Sequence, residues 1–332
     1  MTVLITGSNG LLGTALKELL GEGHIYHTRK DADLTNEKST NDYITHHVKN
    51  SGVDKIIHCA AMVGGVQANS NNNETFFIEN YKINNNVISS AFENGVKNFV
   101  NLSSTCIFPD SNITYPLTAD QIDIAPPHPS NHGYSYAKRL SGYQTKIIRQ
   151  LTGNNWITIV PTNVYGPNDN FHPDHSHMIP GIIHRAYNCK QNDEDFIIWG
   201  DGSPLRQFIH SKDLAKVILW AIDNWNSDVP FMAVNDNEHS VMDIVKIVAK
   251  KFDIQNDPKN IEIDFIESRV SDHSGIESIE NIIQKYTSVK KKVKLTHLSP
   301  ECKVLLLKAN PSIANSIEQS IDEDLSAGSF IV

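Results

Sequence analysis

Short apolar, β-branched runs alternate with stretches of helical periodicity through the first half of the chain. Val3, Leu4 and Ile5 precede Gly7-Ser8-Asn9-Gly10-Leu11-Leu12-Gly13, after which Ala15, Leu16, Leu19 and Leu20 fall at helical spacing. This predicts strand, glycine turn and helix in succession. The runs at 25–26, 55–59, 99–102 and 156–160 repeat the strand pattern, with helix-length segments between them. Such alternation predicts an α/β fold, a Rossmann-like doubly wound parallel sheet covered on both faces. Beyond Pro161 the pattern loosens, with Pro167, Pro173, Pro180 and Pro204 among several Gly and Asn. The expected division is therefore a nucleotide-binding domain over 1–160, to which a helix over 211–223 returns, and a smaller α/β substrate lobe over 161–260. The asparagine-rich stretch at 69–73 and the lysines at 290–292 read as solvated loops.

Length and charge narrow the function classes. At 332 residues the chain is long enough for two compact units. With 29 Lys+Arg against 38 Asp+Glu, the net charge of −9 argues against a sequence-independent grip on nucleic acid. Cys59, Cys106, Cys189 and Cys302 form no CxxC pair, and no apolar run is long enough to span a membrane. A cytoplasmic enzyme acting on a small molecule, without a membrane partner, is the expectation.

The glycines at 7, 10 and 13 spell GxxGxxG immediately after the first strand and at the start of a helix. Without side chains there, the turn tightens, a pyrophosphate can approach the backbone, and the helix packs on its strand. After the second strand, Arg29 and Lys30 stand where an acidic residue would serve a ribose 2′-hydroxyl. Two cations suit a 2′-phosphate, so NADP(H) is expected over NAD. A plain solvated turn is the competing reading of this pair.

Tyr134 and Lys138 stand at i, i+4, a spacing that places phenol and ammonium on one helix face about 6 Å apart. Ser104 lies some thirty residues earlier, beyond a strand's C-terminal end, where α/β sheets bind ligands. It can reach the same substrate carbonyl as Tyr134, whereas Tyr136 would point elsewhere on the helix. Cys106 reads either as an acid/base thiol or as a small buried hydrophobe. His172, Asp174, His175 and His177 crowd together, but their spacing matches no helical zinc pair and no metal is expected.

On these residues the chain resembles the extended short-chain dehydrogenase/reductases and, within them, the GDP-L-fucose synthase family. The likeness runs through 58–65, 104–109, 133–139, 161–167, 169–172, 199–200 and 206–209, covering about the first 250 residues. It implies that Ser104, Tyr134 and Lys138 carry NADPH-dependent reduction at C4 of GDP-4-keto-6-deoxy-mannose, with Cys106 and His177 epimerising C3 and C5. It further implies cofactor contacts from Gly7, Ser8, Asn9, Gly10, Leu11, Leu12 and Gly13, from Arg29, Lys30, Asp33 and Leu34, and from Ala60 and Ala61. Lys138, Pro161, Asn163 and Val164 complete that set. Arg185, Trp199 and Arg206 are implied as substrate contacts, and a homodimer as the assembly.

After about residue 251 the pattern departs from that family. Residues 261–332 resemble the latter half of a STAS domain, predicting a β-α-β segment in which Ser274 is either an N-cap or a phosphorylation site. Two other functions remain open at this level: a different nucleotide-sugar epimerase or reductase, and a binding or regulatory protein that has lost turnover.

Overall fold

The computed structural model describes the chain apart from residues 1, 174, 193–195, 199, 255–259, 265–272, 289–291 and 318–332. Its backbone groups into two compact units, one of residues 1–181 with 206–238 and one of 182–205 with 239–332.

The first unit opens with β1 (Thr2–Thr6), α1 (Leu11–Leu20), β2 (Ile25–Tyr26), α2 (Glu37–Ser51) and β3 (Val53–His58). It continues through α3 (Val66–Asn71), α4 (Asn73–Glu93), β4 (Asn98–Leu102), α5 (His132–Thr152) and β5 (Asn155–Pro161). A short strand β6 (Asn163–Tyr165) pairs in parallel with β7 (Leu205–His210), and α6 (Met178–Asn192) intervenes in sequence. The helix α7 (Ser211–Asn224) and β8 (Phe231–Ala233) close the unit. Six strands lie in the order β2-β1-β3-β4-β5-β8, with every pairing parallel. The chain reverses direction across the sheet between β1 and β3, which puts a ligand-binding crevice at the carboxyl end of β1.

Strand alternation builds a core on each face. Val3, Ile5, Ile57, Val100, Ile157 and Ile159 turn one way, against Leu16 of α1 and Leu214, Ile218 and Ile222 of α7. Leu4, Ile56, Phe99 and Trp156 turn the other way, against Ile44 of α2, Val87 and Ile88 of α4 and Ile148 of α5. Trp156 stacks on Phe99 with centroids 4.5 Å apart, and its indole N–H donates to the Val96 carbonyl at 2.9 Å.

In the second unit, β9 (Glu238–Ser240) leads into α8 (Val241–Lys251), whose start is fixed by reciprocal Ser240 and Asp243 hydrogen bonds. Then come β10 (Asn260–Asp264), α9 (His273–Ser288), β11 (Lys292–Thr296) and α10 (Pro300–Ala309). The two strands pair in parallel, as a β-α-β crossover requires. Ile276, Ile279, Val293, Leu295, Cys302 and Leu306 form its small core. Ser274 lies in the first turn of α9 and not at its N-cap, because the helix already begins at His273.

Candidate active site

The glycine turn at the end of β1 shows a different requirement at each glycine. Gly7 adopts φ +70°, and a Cβ there would stand 2.8 Å from the Ala60 backbone. A Cβ on Gly13 would lie 2.5 Å from Ser8 Cα and closer still to the Gly7 carbonyl oxygen. Gly10 is different, since the nearest protein atom to its Cβ position is 3.4 Å away and its φ of −80° suits any residue. Packing does not demand a glycine at position 10. The missing side chain instead leaves the N-terminus of α1 open, where Gly10 provides no side-chain cap and the first-turn N–H groups can receive an anion. Ser8 braces the turn by donating its N–H and hydroxyl to the His27 carbonyl at 3.0 and 2.9 Å. This cradle fits a dinucleotide pyrophosphate.

The other expected cofactor residues surround the same sheet edge. Arg29 and Lys30 are exposed on the turn after β2. The one acidic side chain within that turn, Asp31, is engaged by the Thr28 N–H and hydroxyl, each at 2.7 Å. Asp33 accepts from the Thr35 N–H and hydroxyl, and Leu34 is buried with its carbonyl held by Asn86 Nδ2 at 3.0 Å. Ala60 and Ala61 follow β3, half-buried. Pro161 is buried at the end of β5, Val164 packs against the first core, and Asn163 donates to the Gln207 carbonyl at 2.9 Å.

The reactive groups converge at the ends of β4 and α5. Ser104 terminates the strand run, and its hydroxyl accepts the Cys106 N–H at 3.2 Å, capping the single turn Thr105–Ile107. The Ser104 side chain stands near enough to the Tyr134 phenol to favour its anion. Burial drives the phenol's pKa upward, and the neighbouring Cys106 adds to this, while Ser104 opposes it. Lys138 is 2% exposed and donates to the Leu102 carbonyl at 2.8 Å. Desolvation pulls its ammonium down to about 8, with Cys59 acting in the opposite sense. Burial pushes the Cys59 thiol up to about 12. Tyr136, the competing phenol, is exposed and meets the His132 ring and the Arg139 guanidinium instead.

Long-range hydrogen bonds that no local motif announces support this cluster. Asn84 of α4 donates to the Ala137 carbonyl at 3.4 Å and accepts from His58 Nε2 at 3.1 Å. His58 Nδ1 then accepts from the Thr6 hydroxyl at 2.7 Å, and the same hydroxyl oxygen accepts the Ala60 N–H at 3.2 Å. Burial and the nearby Lys138 charge push His58 down to about 3, so it works here as a neutral imidazole. One helical turn earlier, Asn80 exchanges hydrogen bonds with the Met62 backbone, both at 2.9 Å. The sequence signals that could have pointed to this network were the histidine closing β3 and the asparagines on the buried face of α4.

His177 is exposed immediately before α6, and its carbonyl accepts the Gly181 N–H at 3.0 Å. A Cβ on Gly65 would stand 2.6 Å from the Ser176 carbonyl oxygen, so that loop approaches the backbone after β3 closely. Asp169 feels the His177 charge, although burial dominates and raises the carboxyl above its usual range. Arg206 is exposed on β7. Arg185 belongs to the second unit, on α6, where desolvation lowers its pKa. Trp199 lies outside the described residues. Among the described residues no three His, Cys, Asp or Glu side chains come together as metal ligands.

Residues 3–235 match the model of the NAD dependent epimerase/dehydratase family. The chain belongs to that family. It is similar to a probable GDP-L-fucose synthase of Drosophila melanogaster, with 39% identity over 75% of this chain and 81% of that one. A GDP-L-fucose synthase of Dictyostelium discoideum is 37% identical over 76% of this chain and 80% of its own length. Among solved structures, a GDP-L-fucose synthetase of Naegleria fowleri bound to NADP aligns with a TM-score of 0.71 and 27% identity, covering 94% of this chain and 88% of that one.

Proposed function

We propose that the protein converts GDP-4-keto-6-deoxy-mannose to GDP-L-fucose by epimerising C3 and C5 and then reducing C4 with NADPH. The observation that carries this reading is the cluster in which Ser104 accepts the Cys106 N–H and lies beside the Tyr134 phenol, with Lys138 buried one helical turn after that phenol and 5.9 Å from its ring. The named relatives supply the substrate class.

The C4 ketone acidifies the C–H bonds beside it, so inversion needs a base on one face of the ring and an acid on the other. Cys106 and His177 bring a thiol and an imidazole, two groups that can each accept and donate a proton. When bound, NADPH supplies hydride to C4. Tyr134 delivers its proton to the C4 oxygen, and burial keeps that phenol protonated until it is needed. Ser104 shares the oxygen, and the Lys138 ammonium favours the phenolate left behind. The glycine cradle would hold the cofactor pyrophosphate, with Arg29 and Lys30 disposed toward a 2′-phosphate.

The enzyme works as a cytoplasmic homodimer in this reading. Leu140, Tyr143, Ile147 and Leu151 stand exposed at helical spacing along α5, and Ile78 and Tyr81 along α4. The four cysteines form no disulfide, and among the described residues no helix is long and apolar enough to cross a membrane. Sedimentation of wild type against Ile147→Lys with Leu151→Lys tests the dimer, which the double variant should dissociate.

The decisive assay mixes purified protein with GDP-4-keto-6-deoxy-mannose and NADPH, following loss of absorbance and solvent-deuterium uptake at C3 and C5. Uptake with oxidation supports the proposal. Uptake alone makes the protein an epimerase, and neither signal leaves it a binding protein.

A further inference from the structure

Arg139 follows Lys138 on α5, yet its side chain reaches off the helix. Its Nε–H donates to the Ile107 carbonyl at 2.7 Å and its Nη2 donates to the Ala125 carbonyl at 3.0 Å. The guanidinium lies 5.7 Å from the Tyr136 ring centroid, which limits its movement. The two carbonyls bracket the long connection that leaves the Cys106 turn. That turn is one short 3-10 element, Thr105–Ile107, and such an element has little stability of its own. Ser104 is anchored separately, because the adjacent Ser103 N–H donates to the Ile159 carbonyl of β5 at 2.8 Å. Cys106, two residues farther along, is held through its N–H to Ser104 and through its neighbour Ile107, whose N–H bonds the Ser104 carbonyl at 3.2 Å, whose side chain is buried and whose carbonyl is the one that Arg139 grips.

We propose that Arg139 is a positioning residue for epimerisation, clamping the Cys106 turn to the helix that carries Tyr134 and Lys138. The inference rests on the role given to Cys106 above. Two nitrogens of one planar fork, rigidly spaced, serve the two carbonyls at once, a spacing that the compact ammonium of a lysine does not reproduce. Tyr134 and Lys138 are built into α5 itself and keep their places without the clamp. Loss of the fork therefore falls on proton exchange and spares hydride transfer, because a displacement of about 1 Å can cost on the order of a hundredfold in rate.

The test compares Arg139→Lys and Arg139→Ala with wild type, measuring deuterium uptake at C3 and C5, NADPH oxidation and product configuration in one reaction, with NADPH binding as the check on folding. Uptake should fall about tenfold or more while oxidation stays within about threefold, and products should shift toward unepimerised GDP-6-deoxy sugars. Added guanidinium ion should restore uptake to Arg139→Ala. Equal losses of uptake and oxidation in the NADPH-binding variants, or an unchanged ratio, would overturn the inference. Cys106→Ser run alongside separates the two levels. If that variant exchanges at the wild-type rate, the role of the thiol fails; if it loses exchange while both Arg139 variants keep theirs, only the clamp fails.

Discussion

The ammonium of Lys138 lies 5.9 Å from the centroid of the Tyr134 ring and is fixed by the Leu102 carbonyl at 2.8 Å. The proposed catalytic pair is thus tied to a strand end of the central sheet, and the tie requires burying a charge.

That burial has a pH signature. Lys138 is held at about 8 in the folded protein against its usual 10.5, so the unfolded chain binds more protons between those values. Stability should rise with pH across that window, and below it the buried ammonium costs on the order of 3 kcal/mol. Lys138→Met should therefore melt higher than wild type at pH 7, with the advantage shrinking from about pH 8 upward, while reduction is lost. Thermal melts of both proteins at pH 7 and pH 10 check this, and a variant less stable than wild type at pH 7 counts against it.

Tyr134→Phe removes the proton donor and leaves Cys106 and His177 in place. NADPH oxidation should fall by about 10²–10⁴-fold while deuterium uptake stays measurable. Turnover within tenfold of wild type would mean the phenol has been misassigned.

Gly10 and Gly13 should respond differently to alanine. Gly13→Ala forces a methyl onto the Ser8 and Gly7 backbone, and the expected destabilisation is about 1–3 kcal/mol, read from denaturant unfolding of the cofactor-free protein. Gly10→Ala has room in the free protein, so its melting point should scarcely move. Titration with NADPH should nevertheless show weakened binding, and an unchanged affinity would show that nothing approaches this turn.

Arg29→Ala combined with Lys30→Ala should narrow the preference for NADPH over NADH. Each charge-assisted contact to a phosphate contributes about 1.5–3 kcal/mol. Ratios of kcat/KM for the two cofactors measure the change, and an unaltered ratio would make this turn merely solvated.

What could be read from the sequence was local. Tyr134, Lys138 and the glycine turn stand out as candidates because each depends on neighbours a few residues away, Ser104 because it follows a strand, and the five strand runs through 156–160 match the observed sheet strands. The three-residue strands β6 and β8 are too short to show periodicity. Arg139 carries no local signal of its contacts, because its partners, Ile107 and Ala125, are distant in sequence. The pairing of His58 with Asn84 is hidden for the same reason, the two lying 26 residues apart. The expected STAS-like tail rests on sequence pattern alone, since the family model ends at residue 235.

The buried asparagines of α4 have a consequence for how the molecule keeps its dimensions. Asn80, Asn84 and Asn86 each spend an amide on a different segment: the Met62 loop, the Ala137 carbonyl and the Leu34 carbonyl. An aliphatic helix could slide by a turn or rotate slightly at small cost, because one greasy contact replaces another. An amide has no such freedom, since a slip would strand three donors away from water. α4 therefore acts as a gauge, registering the loop after β2, the loop after β3 and the catalytic helix against one another. Leucine at these positions could yield a stable fold whose spacing between cofactor cradle and reacting groups is no longer defined.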